Sequence, residues 1–397
     1  MPGTELFGEE ERKEVMDVLS TGILFRYGHD EPRKGMWKTK ELEEEVKKFT
    51  GAKHAHAVSS GTAAVSCVMA AAGIGYGDEV IVPPFTFVAS IEGVLFGGGL
   101  PVFAEIDENL CLSAEGIRKA ITPKTKAVLL VHMCGAAADM DAIVAVCKEH
   151  NLILMEDAGQ ALGATYKGKH VGLFGVAGGI SFDFFKLTTA GEGGLFITNS
   201  QEAYNTADCF SDHGHDHQGT NRGMENHPVL GLNFRLGELN AAVGLAQMRK
   251  AEYIRSQNRK HKTYLKQRLS EIPQVTFRPM PDPEGDSATF LNFFLPDTAT
   301  TQKVVKQFAE DGIAGANYWF LNNYHFINQW DHIKNLKTAA PLAINVLGAP
   351  QDYHNLQLPK SQEVIGRLIS FGVRCTWTDE QLKELGDKMV ASIKKVL

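Results

Sequence analysis

At 397 residues the chain is about twice the size of one compact domain, so two closely packed domains are expected. Hydrophobic residues make up 44% and charged residues 22%, which excludes a disordered chain and fits a globular protein with a large core. A formal net charge of −7 excludes general attraction to nucleic acid or to an anionic membrane, so any anionic ligand must be held by a local site.

The opening MPGTELFGEEERKEV lacks the basic start and apolar run of a secretion signal. No apolar stretch reaches the roughly 18 residues of a membrane span, and a soluble cytoplasmic enzyme is expected. Thr39 to Thr50 carries Leu42, Val46 and Phe49 at helical spacing and ends at Gly51. A short strand, His54 to Val58, leads through Ser59-Ser60-Gly61-Thr62 into a small, apolar helix, Ala63 to Ala72. The alternation then repeats: strand Glu79 to Val82, helix Phe87 to Phe96, strand Pro101 to Ile106, helix Ser113 to Ile121. Strand Ala127 to Val131, helix Asp139 to His150 and strand Leu152 to Glu156 follow. Gly179 to Phe182 and Gly194 to Thr198 add two strands. Short strands alternating with helices predict an α/β domain whose mostly parallel sheet is covered on both faces.

From Gly237 to about Leu269 the pattern is one long helical region. Beyond it, Val275 to Leu295, helix Thr301 to Gly312 and helix Asp379 to Val396 fit a smaller α+β domain. The boundary is placed near residue 250, giving a large domain over residues 1–250 and a small one over 251–397. The six cysteines, Cys67, Cys111, Cys134, Cys147, Cys209 and Cys375, form no CxxC pair and no metal-ligand spacing, so reduced thiols and no metal are expected.

Three segments carry chemistry. Lys186 stands in Ser181-Phe-Asp-Phe-Phe-Lys186-Leu-Thr-Thr-Ala-Gly-Glu-Gly-Gly194, among small and apolar residues. A lone lysine is usually a solvated loop residue, but burial lowers an amine's pKa and makes it a nucleophile toward an aldehyde. Asp157, in Leu152-Ile-Leu-Met-Glu156-Asp157-Ala-Gly-Gln160, follows an apolar strand, at the edge where open α/β sheets bind ligands. In isolation it reads more readily as a helix N-cap. Ser59-Ser60-Gly61-Thr62-Ala63-Ala64 lets backbone approach a ligand and presents helix N–H groups to an anion such as phosphate.

Taken together, S-G-T-A, P-P-F-T-F-V-A-S, E-D-A-G-Q, S-F-x-x-x-K-x-x-T-x-G-E-G-G and G-L-N-F-R-L resemble the DegT/DnrJ/EryC1/StrS family of sugar aminotransferases of fold-type I. The motifs occur in the family's order over residues 59 to 236, and the flanks fit its layout. The resemblance implies pyridoxal 5′-phosphate (PLP), carried as an internal aldimine on Lys186 and converted to pyridoxamine phosphate in turnover. Lys186 then shuttles the proton, Asp157 pairs with the pyridine nitrogen and Gln160 with the ring hydroxyl. Phe87 stacks on the ring, and Gly61, Thr62 and Ser181 cradle the phosphate. Asn233 resembles a residue contributed to the partner subunit's phosphate, which implies a homodimer. Relatives that dehydrate sugars carry histidine at the lysine position; Lys186 favours transamination.

Met1 to Gly8, Phe25-Arg26-Tyr27 with Arg33, and Asp212 to Pro228 fall outside the generic pattern. They resemble members that take L-glutamate as donor and the 8-oxo form of 3,8-dideoxy-manno-octulosonate, a lipopolysaccharide sugar acid, as acceptor. A nucleotide-linked keto-sugar is the alternative. A sugar acid needs a partner for its carboxylate, and Arg26, Arg33, Arg222 and Arg235 are the candidates, with Tyr27, His213 and His215 nearby in sequence. The alternating His213, His215 and His217 invite a metal reading, but no further ligands complete a site, so polar contacts are expected there.

Overall fold

The computed structural model describes residues 2–219 and 221–397; Met1, which opens the N-terminal stretch singled out above, lies outside the described residues. Seven strands form the large sheet in the order His54–Val58, Gly194–Thr198, Gly178–Ser181, Ile153–Asp157, Thr125–Val131, Glu79–Val82, Leu100–Phe103. The five strands from Gly178–Ser181 to Leu100–Phe103 run parallel, and Gly194–Thr198 is antiparallel to both its neighbours. The α/β class and the mostly parallel sheet expected from the sequence are present.

Strand alternation divides the apolar side chains between two cores. Val80, Val82, Leu129 and Met155 face the core shared with helices Gly61–Ala71 and Ala89–Phe96. Ile81, Val128, Leu130 and Leu154 face the opposite core, with Lys38–Thr50, Met140–Glu149 and Glu238–Met248. Covered on both faces, the central strands need no polar alternation, which is why they read as near-continuous apolar runs.

The region read as one helix from Gly237 is two, Glu238–Met248 and Ala251–Leu269. No Gly or Pro marks the corner. Tertiary contacts hold it instead: Arg249 pairs with Glu14 at 2.6 Å, and Lys250 donates to the Leu6 carbonyl at 2.7 Å. A second sheet, Thr276–Phe277, Phe290–Phe294, Leu368–Gly372 and Ala316–Asn317, is antiparallel throughout. It shares a third core with helices Ala251–Leu269, Thr298–Glu310 and Asp379–Val396. Between its last two strands in sequence the chain returns to the large sheet, and Trp319, Phe326, Trp330, Ile344 and Tyr353 join the first core. Among the described residues no helix is long and apolar enough to cross a membrane.

Candidate active site

Strand Ile153–Asp157 ends in two acids that alternation sends opposite ways. Glu156 is fully buried. Its carboxylate accepts from the backbone N–H groups of Gly172 (2.7 Å), Phe174 (2.6 Å) and Gly175 (2.7 Å), and from His132 Nε2 at 2.9 Å. Ala138 N–H donates to His132 Nδ1, which leaves the ring proton on Nε2. Burial alone would raise the Glu156 carboxyl; these donors hold it below the usual carboxylate range. Asp157 opens onto a cavity, with Oδ2 accepting from Ser90 Oγ at 2.7 Å and Oδ1 from Gly159 N–H at 2.8 Å.

Across the same cavity the first strand turns into helix Gly61–Ala71. Ser60 caps it by accepting from Ala63 N–H at 3.0 Å, so the first-turn N–H groups of Gly61 and Thr62 have no intrahelical partner. Gly61 is required by close approach: a Cβ there would lie 2.7 Å from Ser181 Cβ. Gly194 answers the same constraint, since its Cβ would meet the Ser60 carbonyl at 2.2 Å. A glycine-lined cradle at a helix N-terminus, with the Ser181 hydroxyl beside it, suits a phosphate.

Lys186 lies on the loop after strand Gly178–Ser181, its backbone N–H donating to the Asp183 carbonyl at 3.1 Å. Burial pushes its ammonium below the ordinary lysine range, against the opposing pull of Asp183 and Asp157. The cavity, about 920 Å³, is lined by Gly61, Thr62, Phe87, Asp157, Gln160, Ser181 and Lys186, and so brings together seven of the residues singled out in the sequence. Gln160 Oε1 accepts from Cys134 N–H at 3.2 Å. Phe87 lies beside Tyr324 (6.1 Å between ring centroids) and His325 (5.5 Å).

The wall from the second half of the chain, with Asn317, Trp319, Asn322, Tyr324, His325 and Arg374, was not legible in the sequence. Most of it is irregular backbone, without the periodicity or glycine signature that marked the other wall. His325 is pushed down to about 3 by burial and then by the neighbouring Lys186 charge, so its imidazole is neutral. Its Nδ1–H donates to Asn322 Oδ1 at 2.9 Å, leaving Nε2 as an acceptor.

The other residues singled out do not reach this cavity. Arg26 is buried, donating to the Ala57 carbonyl at 2.5 Å and to Glu43 at 2.8 Å. Arg33 is buried against Glu238 at 3.3 Å, donates to the Phe25 and Gly28 carbonyls, and stacks over Trp37. Both guanidinium forks are filled by the chain itself, which sequence spacing cannot reveal. Tyr27 stacks on His217 with centroids 4.2 Å apart, and Arg222 lies over both Phe25 and Tyr27. Fully buried Asp212 accepts from Arg222 at 2.6 Å, from His217 at 2.8 Å and from Arg235. His215 pairs with Glu225 at 2.9 Å, and His213 is exposed. Two of the unusual stretches thus form one cluster. Asn233 is exposed next to it, on a segment whose Leu230 is 95% exposed.

The chain matches the DegT/DnrJ/EryC1/StrS aminotransferase family over residues 6–390. It is 33% identical to the GDP-perosamine synthase of Vibrio cholerae, across 84% of this chain and 87% of that protein. An aminotransferase from Psychrobacter cryohalolentis has the same fold, with a TM-score of 0.84 at 24% identity over 98% of both chains. NtdA from Bacillus subtilis, solved with bound cofactor PMP, gives a TM-score of 0.80 at 23% identity over 99% of this chain and 84% of that one.

Proposed function

The chain belongs to the DegT/DnrJ/EryC1/StrS aminotransferase family, whose cofactor is PLP, and on that premise we propose that it acts as an 8-amino-3,8-dideoxy-manno-octulosonate transaminase. It moves an amino group from L-glutamate to the C8 aldehyde of the 8-oxo sugar acid.

The observation that carries transamination is the convergence of Lys186, Asp157 and the Gly61–Thr62–Ser181 cradle on one cavity. When bound, PLP supplies an aldehyde for amines and a ring that accepts the electron pair left when a proton departs the neighbouring carbon. Lys186 Nζ, its ammonium form disfavoured by burial, would hold the cofactor and then move that proton. The Asp157 carboxylate, steadied by Ser90 and Gly159, pairs with the ring nitrogen. Gly61 and Thr62 N–H with Ser181 Oγ hold the phosphate, Gln160 the ring hydroxyl, and Phe87 covers the ring face.

The choice of acceptor rests on the stretches outside the generic family pattern, two of which meet in the cluster of Tyr27, His217 and Arg222. Exposed Leu230 and Met224 (79% exposed), close in sequence to Asn233, support a homodimer in which Asn233 reaches the partner subunit's phosphate. A nucleotide-linked keto-sugar is the second reading, favoured by the likeness to GDP-perosamine synthase. Incubating the enzyme with glutamate and either the 8-oxo octulosonate or a panel of nucleotide-linked keto-sugars, followed by mass spectrometry, separates the two. A faster nucleotide-sugar reaction selects the second reading; no transfer from glutamate to any acceptor refutes both.

A further inference from the structure

Three acids, Asp157, Asp183 and Glu192, line the cavity, while among the described residues the lining cations are Lys186 and Arg374. Lys186 and Asp157 serve the cofactor in the reading above, on which this inference rests. Asp183 and Glu192 then leave the remaining space unfavourable to anions, yet glutamate and a sugar acid both carry carboxylates into it. Arg374 is the one cation of this wall free to meet them, and its planar fork matches a carboxylate at two points.

Its surroundings are built for that task. Arg374 stands two residues beyond strand Leu368–Gly372, its carbonyl fixed by His261 Nδ1 at 2.7 Å. Its side chain is 60% exposed, and Nε lies 3.3 Å from Glu5 Oε1. Among the described residues the two terminal amino groups have no hydrogen-bond partner. Glu5 is itself held: Oε2 accepts from Thr376 Oγ1 at 2.9 Å, and among the described residues buried Oε1 has no hydrogen bond and meets Arg374 as an ion pair. The arm bearing Glu5 is fastened on both sides, since Gly3 fits against the Thr188–Thr189 backbone of the Lys186 loop and the Leu6 carbonyl accepts from Lys250.

We propose that Arg374 binds a substrate carboxylate through its terminal amino groups, and that Glu5 is a positioning residue that holds the fork by Nε. The carboxylate can come from the donor, glutamate, or from a sugar-acid acceptor.

The test uses the PLP-loaded enzyme and glutarate, a dicarboxylate without an amino group to transfer, titrated by calorimetry. Arg374→Gln should weaken glutarate about 10- to 100-fold, and Arg374→Lys should recover part of the loss. Glu5→Gln should weaken it by a smaller factor in the wild-type background and by nothing further in the Arg374→Gln background. Steady-state rates then identify the source. A raised KM for glutamate with unchanged kcat assigns the donor, and a selective loss toward the octulosonate but not toward nucleotide-linked keto-sugars assigns the acceptor. Either supports the proposal. Glutarate affinity within twofold of wild type in Arg374→Gln overturns it, and additive losses in the double variant overturn the role of Glu5. Should wild-type enzyme take no amino group from glutamate, the aminotransferase reading fails by itself, while the glutarate comparison still decides Arg374.

Discussion

Gly61→Ala isolates the cradle from the rest of the site. The new methyl would sit 2.7 Å from Ser181 Cβ and 2.8 Å from Ser181 Oγ, roughly 0.7 Å short of ordinary contact. Ser181 cannot retreat, because it pairs in the sheet with Gly194, which is itself packed against the Ser60 carbonyl. The displacement therefore falls on the first turn of helix Gly61–Ala71, moving the N–H groups proposed to hold the phosphate. Overpacking of this kind costs about 1–3 kcal/mol, which corresponds to roughly 5- to 150-fold in the dissociation constant of PLP. Equilibrium dialysis with the cofactor's near-visible band as readout measures it, and thermal denaturation of the apoprotein checks that folding survives. Ser181→Gly removes both clashing atoms, so on that background Gly61→Ala should cost less than about threefold. PLP affinity equal to wild type in Gly61→Ala, or the same loss on both backgrounds, would refute the steric argument.

Two further outcomes follow from the same geometry. Asp157→Asn should retain much of its PLP, because the phosphate contacts remain, but slow the glutamate half-reaction about 10²- to 10³-fold in stopped flow; near-normal turnover would remove Asp157 from its proposed role. His217 is pulled down by burial, but its hydrogen bonds to Asp208 and Asp212 carry it up to about 9. A folded-state pKa above the unfolded value of about 6.5 means that its stabilisation is complete below that pH and disappears as pH rises through about 9. At about 1.4 kcal/mol per unit this amounts to at most roughly 3.5 kcal/mol. Wild type should thus lose several degrees of thermal midpoint between pH 6.5 and 9.5 beyond any loss in His217→Gln, and parallel curves would sink the assignment.

The sequence was most readable where structure is local. Strands His54–Val58, Glu79–Val82 and Gly194–Thr198 carry the expected bounds, because short apolar runs between glycine turns have few alternatives inside a covered sheet. The helices expected from Ser113 and from Asp139 start there for the same reason: each of these side chains accepts from an N–H three residues on, which needs no tertiary context. Residues joined over long distances escaped. Arg374 meets Glu5 across most of the chain, and nothing near either residue announces the other. Arg26 and Arg33 show the converse, since an arginine in an unusual stretch looks available until the fold reveals Glu43 and Glu238 already facing it.

Glu156 and Asp157 carry the same charge one residue apart, and which of them lines the cavity depends on the phase of their strand. A slip of one position would bury Asp157 and turn Glu156 into the cavity. The three backbone donors and His132 that grip Glu156 make such a slip expensive, because the side chain of Asp157, one carbon shorter, would have to reach all four of them. The buried acid thus works as a key that fits in one phase alone. Asp157 is aimed into the cavity from behind, by a residue that does not line it, so changes at Glu156 should misdirect the site even when every cavity-lining side chain is intact.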